Sequence, residues 1–249
     1  MNVKADLSAD QRSRRRRLPL GISIIHEDGD VIVVEKPAGL LTMGTDRDKS
    51  RTLHTILNDY VRKGDPRSRN RIYIVHRLDR ETSGILLFAK SEPVKILLQN
   101  NWEDTEKRYL AVVHGSISPK EGEITSYLRE NSAFSVYSTP DPSQGKWSST
   151  QYLVLKETKE FSLLEIHLLT GRKHQIRVHF SEKGHPVVGD RRYGKGSDSS
   201  ATLALHARSL SFNHPGSGKR MSFTTGVPDS IMRLVGLGGT ELLNKSVGC

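Results

Sequence analysis

Residues 71–91 read Arg71-Ile-Tyr-Ile-Val-His-Arg-Leu-Asp-Arg-Glu-Thr-Ser-Gly-Ile-Leu-Leu-Phe-Ala-Lys-Ser91. Two short apolar, β-branched runs, 72–75 and 85–88, predict strands, and the polar residues between them predict a segment emerging at the end of a sheet. Gly84 permits a tight turn there, and Thr82 and Ser83 can hydrogen-bond locally. Asp79 sits in this segment beside Arg77 and Arg80. A carboxylate in such company is either a structural partner that fixes a loop or a reactive group held ionised by an arginine.

The flanking sequence extends the pattern. Residues 22–25 and 31–34 surround Glu27-Asp-Gly-Asp30 and predict a hairpin, and Lys36-Pro-Ala-Gly39 breaks its second strand. Thr52 is a predicted N-cap for a helix whose apolar stripe (Leu53, Ile56, Leu57, Tyr60, Val61) ends at Gly64. Ser91-Glu-Pro93 opens a second helix toward Trp102. Further strands are predicted at 108–114, 123–128, 151–157, 163–169 and 203–212, with loops at 138–145 and 194–200. Residues 229–249 are weakly patterned and predict a terminal helix or a frayed end. Many strands and few, unevenly spaced helices predict an α+β fold with a mostly antiparallel mixed sheet and flanking helices. No repeat or long linker divides it, so the expectation is a basic mobile arm, 1–20, followed by a single domain, 21–249.

The chain has 249 residues and a formal net charge of +10. The first 20 residues contribute +4, through six Lys/Arg against two Asp, and the remainder +6, so the basic character is not confined to the arm. Such an excess favours polyanion partners through phosphate neutralisation. The only cysteine is Cys249, which excludes an internal disulfide and a thiolate metal cage. With no membrane-length apolar run and no secretory signal, the chain is expected to be cytoplasmic.

Two other segments carry candidate chemistry. In Thr170-Gly-Arg-Lys-His-Gln-Ile-Arg-Val-His179, Gly171 suits a strand-to-helix turn. The predicted helix runs toward Gly184 and aligns Lys173 and Arg177 with Phe180 or Ser181. This is either a phosphate-binding or carboxylate-pairing face, or a solvated basic one. His174 and His179 lie five apart, about 140° around a helix, and no HExxH, CxxC or carboxylate cluster accompanies them, so no metal site is expected. Tyr109, entering the strand at 108–114, either packs or offers its ring to a nucleobase. No phosphate-binding glycine motif is present.

Taken together and in order, these segments closely resemble the RluA-type pseudouridine synthases, a family of RNA-modifying isomerases. The resemblance runs through Val33-Val-Glu-Lys-Pro-Ala-Gly39, His76-Arg-Leu-Asp-Arg-Glu-Thr-Ser-Gly-Ile-Leu-Leu86 and Lys107-Arg-Tyr-Leu-Ala-Val-Val-His-Gly115. It continues through the 170–179 segment, Gly184-His-Pro-Val-Val-Gly-Asp190 and Leu205-His-Ala207, covering roughly residues 22–228. It implies the pseudouridine synthase fold with a central RNA-binding cleft, and catalysis without cofactor or metal. Asp79 matches the catalytic aspartate, Tyr109 the active-site tyrosine, and Arg177 the arginine that pairs with the catalytic carboxylate. Arg77 matches the position implicated in displacing the target base, and His76 would line the same loop. For Arg172, Lys173 and His174 the resemblance implies proximity to RNA and no defined role.

The implied partner is a stem-loop of ribosomal or transfer RNA, and the implied state a monomer. Many ribosomal members carry a separate small RNA-binding domain first. About 20 residues precede the first strand here, too few for one, so a compact member is expected. Two other readings compete. A non-catalytic RNA-binding module would need the basic residues but no carboxylate at Asp79. A nucleoside glycosidase would need a second acid that the matched motifs do not supply.

Overall fold

The computed structural model describes residues 16–44, 52–194, 196 and 202–237. Most of the expected arm, part of the 194–200 loop and the chain from 238 onward lie outside the described residues. In chain order the strands and helices are β1 (Arg16–Arg17), β2 (Ser23–Glu27), β3 (Val31–Lys36), α1 (Leu53–Arg62), β4 (Tyr73–Ile74), β5 (Ser83–Ala89) and α2 (Glu92–Asn100). There follow β6 (Glu106–His114), β7 (Glu121–Glu130), β8 (Val136–Thr139), β9 (Lys146–Glu157), β10 (Phe161–Leu168), α3 (Gln175–Glu182), β11 (Leu205–Asn213), β12 (Arg220–Thr224) and α4 (Asp229–Leu234). The class is α+β with mostly antiparallel pairing, as expected from the sequence. The described residues group into two compact units, those within 1–106 and 207–225, and those within 107–206 and 226–249.

The first unit orders its strands β1-β2-β3-β5-β11, with β4 also on β5 and β12 on β11. β5 is buried from Gly84 to Ala89, and β3 from Val31 to Val34, so both read as near-continuous apolar runs rather than alternating ones. Val31, Val33, Ile85, Leu87, Leu210 and Phe212 form the core on one face. Helix α1 has the predicted cap: Thr52 Oγ1 accepts the N–H of Thr55 at 3.2 Å. Leu53, Leu57 and Val61 give it one buried stripe, and left-handed Lys63 and Gly64 end it.

The strand predicted at 72–75 shortens to Tyr73–Ile74, paired with Phe88 and Ala89. Arg16 and Arg17 pair with Ile24 and Ser23, so this end of the arginine run belongs to a sheet edge. Gly84, at φ +116°, lies where an added Cβ would stand 2.2 Å from the carbonyl oxygen of Ala207. Only glycine allows β5 to leave the Asp79 segment in that direction.

The second unit is an antiparallel run, β6-β10-β9-β7-β8. Ala111, Val113, Leu163, Ile166, Ile176 and Phe180 share its core. β9 begins at Lys146, five residues before the predicted start. No helix among the described residues is long and apolar enough to cross a membrane.

Candidate active site

The segment from Val75 to Thr82 is fixed by its apolar and small residues: Val75, Leu78 and Thr82 are buried, while Arg77, Arg80 and Glu81 are exposed and Asp79 is half-buried. Both neighbours of Asp79 are held through backbone groups. On one side, Leu78 donates its N–H to Thr42 Oγ1 at 3.3 Å, and the same hydroxyl donates to the Leu78 carbonyl at 2.9 Å. On the other, the Arg80 carbonyl accepts the N–H of Gly39 and the ammonium of Lys36, each at 2.9 Å. The Asp79 carbonyl accepts the N–H of Thr82 at 3.2 Å, closing the turn. Asp79 is therefore presented by a backbone tied down on both sides by residues 36–42, the stretch that begins where the sequence predicts the break after β3.

Lys36 explains why that break is rigid. Its side chain is fully buried, and Nζ donates to the carbonyls of Pro37 (3.0 Å), Leu40 (2.8 Å) and Arg80 (2.9 Å). Burial lowers the ammonium pKa to about 8, against the opposing charges of Glu81 and Asp79, so it is charged at neutral pH. Lys36→Met is expected to cost about 2–3 kcal/mol, because it takes the shared donor from three carbonyls, that of Leu40 buried, while removing a buried charge. The folded-state pKa lies below the unfolded value of 10.5, so the folded state sheds its proton first. The advantage of the native lysine over methionine should thus widen as pH rises from about 8 toward 10.5. Denaturant melts of the two proteins across that window check both statements.

Near Asp79, Arg77 is exposed, with NH1 3.4 Å from the Met43 sulfur. His76 Nε2 accepts the N–H of Leu87 at 3.1 Å, which makes Nδ1 the protonated nitrogen of a neutral ring, and that ring lies 4.6 Å from Trp102. His76 thus has a structural duty that the sequence reading did not assign.

In the second unit, Tyr109 is half-buried on β6, opposite Ile166 of β10. Helix α3 differs from expectation. It starts at Gln175, because His174 adopts a left-handed conformation (φ 55°), and residues 170–174 are not helical. Residues Gln175 to Phe180 are all buried, so this is not a solvated basic face. Lys173 lies off the helix and pairs with Glu130, the Arg172 Nε donates to the Trp147 carbonyl at 3.0 Å, and His174 Nδ1 is 2.7 Å from the Tyr193 hydroxyl.

Gln175 and His179, one turn apart, key α3 to the sheet. Gln175 Nε2 donates to the Ser149 carbonyl (2.9 Å) and Thr150 Oγ1 (2.8 Å). The His179 ring lies 3.0–3.1 Å from the hydroxyls of Ser126, Ser148 and Thr150. Burial pushes its pKa down to about 4, so it is neutral at physiological pH.

Arg177, also buried, has a partner that the sequence reading did not name. Asp190 accepts from Nε at 2.7 Å and from NH2 at 2.8 Å, a bidentate pair that sets the guanidinium plane. The only sequence signal for Asp190 was its place at the end of the 184–190 motif.

Comparison with known proteins agrees with these motifs. The sequence profile described as RNA pseudouridylate synthase matches residues 30–182. A relative from Neisseria meningitidis serogroup A, named ribosomal large subunit pseudouridine synthase D, is 36% identical over 231 residues, 87% of this chain and 61% of its own length. The chain therefore spans about three-fifths of that relative. The protein of that name from Vibrio cholerae is 32% identical, over 94% of this chain and 75% of its own. Among solved structures, human RNA pseudouridylate synthase domain containing 1 is similar with a TM-score of 0.66 and 27% identity, over 82% of this chain and 83% of its own. Human domain containing 4 gives 0.72 over 86% and 93%; its 22% identity speaks to the fold alone.

Proposed function

The chain belongs to the RNA pseudouridylate synthase family, and from that membership we propose that it isomerises uridine to pseudouridine in structured RNA, with Asp79 as the catalytic carboxylate. The observation that carries the proposal is the double backbone anchorage of Asp79, within a motif that the family match includes. A carboxylate meant only to stabilise a loop would not need its own loop fixed from both sides. The pairing of Arg177 with Asp79 and the stacking of Tyr109 on the detached uracil complete the reading, with residues 21–249 working as one catalytic domain. The chain would act as a cytoplasmic monomer.

The reaction breaks the N1–C1′ bond, turns the uracil, joins C5 to C1′, and moves a proton from C5 to solvent while N1 gains one. Atoms and electrons balance within the nucleotide, so no redox partner or group donor enters. Asp79 can attack C1′, attack the uracil ring, or take a sugar proton on the way to a glycal; each needs the ionised carboxylate. Reaching it costs the target uridine about a few kcal/mol in unstacking, and Arg77, exposed beside it, offsets part of this by occupying the place the base leaves. His76, Arg172, Lys173 and His174 complete the proposed RNA contacts. The names of the relatives make large-subunit ribosomal RNA the first substrate to test, with transfer RNA second.

The test is pseudouridine mapping by carbodiimide-stop sequencing of total RNA from cells lacking the protein, complemented with wild type or Asp79→Asn. A uridine whose modification disappears on deletion and returns only with wild type is expected. Full restoration by Asp79→Asn, or no lost site at adequate coverage, would move the assignment to a non-catalytic RNA-binding module.

A further inference from the structure

Away from the 75–82 segment, the first unit holds a cleft of about 1040 Å³ whose charged lining is Arg16, Lys63, Arg71 and Lys90 against Glu27 and Asp59, with Tyr60 at its wall. Its polar groups are organised. Arg16 donates from NH1 to the Tyr60 hydroxyl at 3.0 Å, with the guanidinium carbon 4.8 Å from the ring centroid. Tyr60 in turn donates to Glu27 at 2.7 Å, and Lys90 pairs with the other Glu27 oxygen at 2.9 Å. Glu27 is thereby engaged by a lysine and a phenol.

The cleft continues into the α1–β4 connection, Arg62-Lys-Gly-Asp-Pro-Arg-Ser-Arg-Asn-Arg71, with five cations and one carboxylate. Asp65 spends its side chain on the backbone: Oδ1 accepts the N–H of Arg67 at 2.9 Å, and its carbonyl accepts that of Ser68 at 3.1 Å. Asn70 Nδ2 ties the far end back to the Val61 carbonyl at 3.2 Å. The loop is ordered by these bonds, while Arg67, Arg69 and Arg71 stay exposed, with no ion pair among the described residues. A helix C-terminus attracts cations, which accounts for Arg62 and Lys63. It does not account for three further arginines beyond the last turn.

We propose that this cleft and the 62–71 loop form a second RNA-binding face, which grips the phosphate backbone of a stem flanking the target uridine. The proposal rests on the reading of the substrate as RNA. It gives the described end of the arginine run a place, because β1 anchors Arg16 at this cleft. A preordered loop backbone lowers the ordering cost of binding a polyanion, and a regular stem backbone is the polyanion an isomerase of structured RNA meets. The surface supplies affinity and register; Asp79 supplies the chemistry.

The test uses the full chain, a labelled RNA hairpin with a uridine-containing loop, and the variant Lys63→Gln/Arg67→Gln/Arg69→Gln/Arg71→Gln, with fluorescence anisotropy over a salt series. The expected result is a rise in Kd of about tenfold or more and a slope of log Kd against log salt flatter by about 2 to 4, one phosphate contact per lost cation. The single-turnover rate at saturating RNA should stay within about twofold of wild type, since no altered residue touches the reacting atoms. Arg67→Gln/Arg69→Gln, at side chains without described contacts, should give part of the same loss and covers the case in which the larger variant unfolds. Variants that melt like wild type and bind the hairpin with wild-type affinity and slope overturn the proposal and leave the face to an acidic protein partner. Wild type that binds the hairpin through these residues but isomerises nothing would sink the activity reading and leave this surface standing.

Discussion

Asp79→Asn is expected to reduce single-turnover pseudouridine formation by about four orders of magnitude or more, the scale on which loss of a central reactive group is felt. RNA affinity should change by less than about threefold, because binding rests on cations elsewhere. The asymmetry follows from how the residue is held. Leu78 and Arg80 are fixed through backbone carbonyls and N–H groups by Lys36, Gly39 and Thr42, and asparagine leaves every one of those bonds in place. Glu81, the larger of the two charges that oppose the effect of burial on Lys36, also stays in place. The side chain keeps its size and loses only its charge and nucleophilicity. Tritium release from C5-labelled uridine in RNA, filter binding and a thermal melt, run on the same preparations, separate the outcomes. Equal loss of binding and turnover, or a collapsed melting temperature, would make Asp79 a structural residue. Turnover within about tenfold of wild type would remove it from the chemistry altogether.

Much of the scaffold around Asp79 was legible because local rules and tertiary packing agree there. The Thr52 cap, the stripe Leu53, Leu57 and Val61, the break at Lys36-Pro37 and the special geometry at Gly84 each follow from one residue type at one position. What was missed depends on partners far away in sequence. Residues 146–150 fall between the predicted loop and the predicted strand, yet Ser148 and Thr150 are buried strand residues whose hydroxyls meet His179. Strand β12 has no counterpart in the sequence expectation and β8 takes Ser138 and Thr139 from the predicted 138–145 loop, because four or five residues with mixed polarity give too short a pattern to read. The left-handed His174, which delays α3, is a conformation that helix propensity does not anticipate. Lys36 and Asp190 are buried charges whose compensation comes from the folded backbone or from another element, so composition gives no sign that either is buried.

Asp190 therefore carries the larger stability prediction. Its carboxylate side chain is fully buried. Besides the two bonds from Arg177, Oδ1 accepts the backbone N–H groups of Arg192 (2.9 Å) and Tyr193 (3.0 Å). Asp190→Ala takes a bidentate carboxylate partner from a buried guanidinium and the shared acceptor from two N–H groups, and should cost about 3–5 kcal/mol. Asp190→Asn retains an acceptor and should cost less. Burial raises the Asp190 pKa, but hydrogen bonds and charge from Arg177, with the two backbone N–H groups, outweigh it and hold the carboxyl below its usual 3.8. A depressed carboxylate pKa contributes stability that is complete above the unfolded value and is lost as pH falls through the folded one. The gap between wild type and Asp190→Ala should accordingly be constant near neutrality and shrink below about pH 3.8. Urea melts at a series of pH values read this directly, and a gap under about 1 kcal/mol at pH 7 would show that Arg177 does not need Asp190 to stay buried. Because the pair fixes the plane of Arg177, Asp190→Asn at a temperature where it remains folded should also slow turnover while leaving the affinity for RNA near that of wild type. A merely structural Asp190 would lose stability without that split.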